Sequence, residues 1–93
     1  MAQQINEAVY EEMISALNTF CTNVSESASE MSNAAAECMD NCEHDEASTK
    51  SYARVNECVQ AFEQAVEVAE KLALAMGREL EAAREQARKA DNI

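Results

Sequence analysis

Between residues 52 and 87 the apolar side chains obey a rule that leaves this chain little freedom. Tyr52, Val55, Val59, Phe62, Val66, Ala69, Ala73, Met76, Leu80, Ala83 and Ala87 follow one another at alternating steps of three and four. A repeat averaging 3.5 residues keeps one stripe of an α-helix against a neighbouring helix, with polar residues on the other faces. This stretch therefore reads as one long helix with another laid along it. A second stripe of Cys58, Ala61, Ala65, Val68, Leu72 and Ala75 runs beside the first. Together they are wider than a two-helix seam needs, so the helix is expected to touch a second neighbour from outside the chain.

The rest of the chain supplies the first neighbour. A second, less regular apolar stripe runs through Ile5, Val9, Met13, Ala16, Phe20, Val24, Ala28, Met31, Ala35, Cys38 and Cys42. Its middle is rich in Ser, Thr and Asn, which lower helix propensity because their side chains compete for backbone hydrogen bonds. This helix must then lean on packing. With no proline and one glycine in 93 residues, the chain has few places to turn. The strongest is the polar run of residues 40–46, where Asn41 can supply a left-handed C-cap and Asp45 can cap the following helix. The reading is one all-α domain, 1–93, an antiparallel two-helix hairpin. Its first helix covers about 5–41, the link about 42–45 and the second helix about 46–90. Gly77, beside the seam residue Met76, marks either close approach of a neighbour, a point of flexure, or a merely tolerated glycine.

Charge narrows the partners. Residues 1–47 carry ten acidic groups and no Lys or Arg, whereas residues 48–93 carry eight acids against seven bases, within a net charge of −11. An acidic half repels nucleic acid and anionic lipid and suits a neutral or basic protein surface; it also serves simply as a solvated face. No run approaches the ~20 apolar residues of a membrane span, and no basic segment followed by an apolar block opens the chain. The expectation is a cytoplasmic protein without membrane insertion, whose export, where it occurs, uses no cleaved signal peptide.

Four cysteines admit three uses. As small buried apolar residues, Cys21, Cys38, Cys42 and Cys58 need no special geometry in a reducing cytoplasm. A disulfide between Cys38 and Cys58 would staple the closed end of the hairpin if the register brought their α-carbons within ~7 Å. Cys38, Cys42, Cys58 and His44 would make a zinc set, but without the tight knuckle spacing such sites use. The reading therefore assigns no metal and no cofactor. His44 stands alone among acids, with no nucleophile or orienting partner, so no catalytic residue is assigned either.

In the run Glu46-Ala47-Ser48-Thr49-Lys50-Ser51-Tyr52, small residues precede an aromatic at the start of the second helix, and residues 65–80 form a long alanine-rich seam. In these features, and in length, the chain resembles the Trp-x-Gly (WXG-like) helical-hairpin proteins of bacterial type VII secretion, the early-secreted-antigen-like group. The resemblance spans nearly the whole sequence. Glu43-His44-Asp45 stands where that family has its Trp-x-Gly turn. Ala87-Arg88-Lys89-Ala90-Asp91 keeps the acid of the family's export signal without its aromatic. What the resemblance implies is a non-enzymatic member that pairs with itself, with a signal-bearing hairpin, or with the helical domain of a secreted effector, as a secreted component or a targeting or chaperone subunit.

The expected assembly is a four-helix bundle of two antiparallel hairpins. Its interface and core are assigned to Phe20, Val24, Val59, Phe62, Val66, Val68, Leu72, Met76 and Leu80. Full burial of Phe62 would make its truncation to Ala cost about 3–5 kcal/mol. The competing reading is a cytoplasmic adaptor or chaperone, unrelated to secretion, that sheaths one amphipathic helix of its client.

Overall fold

The computed structural model describes residues 5–41 and 45–91. Two helices account for nearly all of them: α1, Glu7–Asn41, and α2, Glu46–Asp91. They pack side by side and antiparallel, giving a rod of 74 × 18 × 14 Å. Among the described residues there is no strand.

Local chemistry sets the helix starts. Asn6 caps α1, its Oδ1 accepting the Val9 amide at 3.3 Å. Asp45 caps α2 as its position suggested, its Oδ1 accepting the Ser48 amide at 2.7 Å while its carbonyl accepts the Thr49 amide. The hydrogen bond from the Ser48 backbone holds the Asp45 carboxyl below the usual carboxylate range. Asn41 behaves differently from expectation. It remains helical, no non-glycine residue among those described has positive φ, and its side-chain amide donates to the Glu37 carbonyl at 2.9 Å. The Ser/Thr/Asn-rich middle of α1 runs unbroken, with Thr22 donating to the Asn18 carbonyl. What holds it is α2: Cys21 and Ala28 are buried there, and Leu17 and Val24 pack against Cys21, Val66 and Ala69.

The strict stripe of α2 is the one that faces α1. Val59, Val66, Ala69, Ala73 and Leu80 are buried along it, with Tyr52, Val55, Met76 and Ala83 half-buried between them. On α1 the seam differs from the stripe read in the sequence. Through the first half it runs through Tyr10, Ile14, Leu17 and Cys21, which are half-buried or buried, and it joins the expected stripe only at Val24, Ala28, Met31 and Ala35. These residues also alternate at four and three, so α1 carries a heptad seam of its own. Val9, Met13 and Phe20 lie one position to the side and are exposed.

The resulting core is thin. Among the described residues no side chain is fully buried, and four of the seven buried ones are Ala or Cys. The surface shows the consequence: the hairpin exposes 7342 Å², whereas a compact monomer of 10.2 kDa exposes about 5300 Å².

Gly77 is helical with ordinary φ, and a Cβ built on it would meet nothing within 4 Å. Close approach of α1 is therefore not what this glycine serves. Gly77→Ala is expected to stabilise the hairpin by about 1 kcal/mol and raise Tm by roughly 4–8 °C, read by thermal melts followed by circular dichroism. Phe62 is 37% exposed, which removes the full-burial figure for its truncation, whereas Leu80 is 6% exposed. Leu80→Ala should cost about 2–5 kcal/mol and exceed the cost of Phe62→Ala in denaturant titrations.

Candidate partner interface

The two long sides of the hairpin differ in chemistry. Glu11, Asn18, Ser25 and Ser32 recur every seven residues along one edge of α1, and they line the same recesses as Glu63, Glu70 and Arg84 of α2. That is the polar side. The opposite edges of the two antiparallel helices must share the other side. On it stand Val9, Met13, Ala16 and Phe20 from α1, and Cys58, Ala61, Ala65, Val68, Leu72 and Ala75 from α2, all exposed. Val68 is 68%, Leu72 48% and Phe20 43% exposed. Large apolar side chains left this open along one contiguous side of a rod mark an interaction surface.

The register places the apolar groups of both helices at one level. Cys21 donates its thiol to the Val66 carbonyl at 3.7 Å, and Tyr10 donates its hydroxyl to Glu79 at 3.0 Å. Phe20 then stands level with Val68, and Met13 with Ala75. This end of the rod is also clamped across its polar side. Arg84 pairs with Glu7 at 3.5 Å and with Glu11. The apolar pattern alone does not single out Arg84; its signal in the sequence is its position in register with the acids of the first turns of α1.

The residues assigned to the interface from sequence divide cleanly. Val59, Val66 and Leu80 are buried, and Val24 and Met76 half-buried, in the seam between α1 and α2; they close the hairpin and are not available to a partner. Phe20, Val68 and Leu72 do point outward. Phe62 lines a recess on the polar side with Val24, Ser25, Ala28 and Ser32. Val9 and Met13 join the outward set although they were not assigned to it.

The cysteine readings resolve unequally. Cys21 is the small buried thiol of the core. Cys58 is exposed with a free thiol, so no disulfide joins it to Cys38. The register explains this. The pairing of Cys21 with Val66 and of Tyr10 with Glu79 puts Cys38 level with Lys50, and the helix from Lys50 to Cys58 rises about 12 Å, beyond disulfide reach. Cys42 and His44, the other members of the zinc set, lie outside the described residues. Among the described residues no group of three or more His, Cys, Asp or Glu is placed to hold a metal ion, and no helix is long and apolar enough to cross a membrane. The recesses between the helices are open grooves lined mainly by Ser, Asn, Thr and Val.

Comparison with protein-family models, with curated proteins and with solved structures gives no match to this chain.

Arg84→Gln is expected to loosen the open end alone. Hydrogen exchange should speed up at the amides of residues 9–14, stay unchanged around Cys21, and the difference should shrink at high salt, because the exposed pairs it removes are screened there.

Proposed function

We propose that the protein is a non-enzymatic pairing module, a helical hairpin that docks its apolar side onto a second hairpin, of its own kind or of a relative, to complete a four-helix bundle. One observation carries this reading: of the seven large apolar residues exposed among the described residues, Val9, Met13, Phe20, Val68 and Leu72 stand together on one side, while Phe62 and Leu74 are set among polar residues on the other. The surplus surface supports it. The hairpin exposes roughly 2000 Å² more than a compact monomer of its mass, and a stable pairing needs about 800 Å² from each partner. Resemblance to the Trp-x-Gly hairpins takes the proposal further, to a component of type VII secretion that acts as a secreted subunit or as the targeting or chaperone partner of an effector's helical domain. A flank two helices wide fits a hairpin better than the single client helix of a cytoplasmic adaptor.

Light scattering of the chain alone, and after co-expression with proteins encoded beside it, tests the reading. The expected result is twice the chain mass, or a complex with a hairpin of similar length. Val68→Asp with Leu72→Asp should weaken that association by on the order of a hundredfold or more, since two carboxylates would be desolvated in the contact. Leu74→Asp, at a residue 62% exposed that lines a recess on the polar side, should leave it unchanged. A monomer in both preparations, or equal effects of the two sets of variants, would sink the proposal.

A further inference from the structure

Resting on that reading, we infer that the partner is a second copy of this chain, set with α1 of each copy along α2 of the other and with both links at the same end of the bundle. Two arrangements bring the apolar sides of two copies face to face. A two-fold axis along the rod keeps every residue at its own level and lays α1 on the second copy's α2. A two-fold axis across the rod puts the links at opposite ends and lays α1 on α1.

The large apolar residues discriminate between them. Val9, Met13 and Leu72 lie in the half of the rod away from the link, and Phe20 and Val68 lie at its middle. With the axis along the rod, Phe20 meets Val68 and Met13 meets Ala75 of the second copy over the full length of both hairpins. With the axis across it, full overlap would leave Phe20 against Phe20 of the second copy but set Met13 against Ser27 and Val9 against Glu30. Apolar contact for Met13 and Val9 could be regained only by sliding the copies apart and losing overlap.

Charge along the outer edge selects the same arrangement. The edge of α1 bordering the apolar side carries Glu12, Glu26, Glu30 and Glu37 and no base; that of α2 carries Arg54, Lys71 and Arg78 among Glu57 and Glu85, of which Glu57 would fall near Glu30 of the second copy. Glu12, Glu37, Arg54 and Arg78 form no ion pair among the described residues. At preserved level, Glu12 falls beside Arg78 of the second copy, and Glu37 beside Arg54. The α1-on-α1 alternative sets an edge without cations against itself, and like charges across an interface select against a pairing.

The chain's three lysines make the test direct. About 60 Å of helix separates Lys50 from Lys89, so no short cross-linker joins them within one copy. In an equimolar mixture of isotope-labelled and unlabelled protein, an amine-reactive cross-linker should join Lys50 to Lys50 of the second copy. A dimer that gives Lys50 to Lys89 products instead, or no Lys50 to Lys50 product, overturns the arrangement and leaves the pairing reading standing. Arg54→Glu with Arg78→Glu should weaken the dimer by about tenfold, and adding Glu12→Arg with Glu37→Arg should restore it. All four side chains are exposed, so the hairpin itself is not at stake, and a failure to restore overturns the inference. A chain that stays monomeric overturns self-pairing, and the co-expression measurement then decides separately whether the broader reading survives.

Discussion

Two helices laid against each other can hide only one stripe apiece, and that limit governs the structure. The seam between α1 and α2 must supply the whole core, and it does so with Val59, Val66 and Leu80 set among Cys21, Ala28, Ala69 and Ala73. Small residues let the helix axes approach, but each buries little apolar area, and a chain of this length has large conformational entropy to offset. A rod of 74 × 18 × 14 Å has no third layer to make up the difference. The apolar residues left over on one side are the remaining source of burial.

The fold was legible where a single pattern stood alone. In α2 the strict three-four stripe had Glu, Gln, Lys and Arg on its far side, so one orientation was available and the structure adopts it. Asp45 was legible because a carboxylate just ahead of free amides has few other uses. In α1 two stripes compete. Val9, Met13 and Phe20 are wholly apolar whereas Tyr10 carries a hydroxyl, so hydropathy alone favoured the outer stripe. Which one turns inward is settled by their continuation: the stripe through Ile14, Leu17 and Cys21 keeps its heptad into Val24 and Ala28, where the polar middle of α1 offers no alternative. The outer stripe ends at Phe20, as expected of a docking surface on part of a rod. The cysteine pairing failed for a related reason. Pairing is symmetric about the link, near residue 44, and not about the later midpoint that a bridge between Cys38 and Cys58 would need.

The apolar side and the charged edges do different physical work. Apolar burial is non-directional and gives adhesion, so by itself it would tolerate many ways of laying two rods together. Charge adds little affinity at an exposed rim, yet it separates those ways from one another, because wrong alignments set like charges together. In this chain the cations are confined to one helix: α1 has no Lys or Arg, while α2 offers Arg54, Lys71 and Arg78 beside its apolar edge, among nine acids. Within one hairpin that separation is used only at the open end, where Arg84 meets Glu7 and Glu11. A chain with net charge −11 repels its own copies at long range. In the dimer proposed above, laying each α1 beside Arg54 and Arg78 of the other copy would reverse the sign of this repulsion at short range, so charge would orient an association driven by the apolar side.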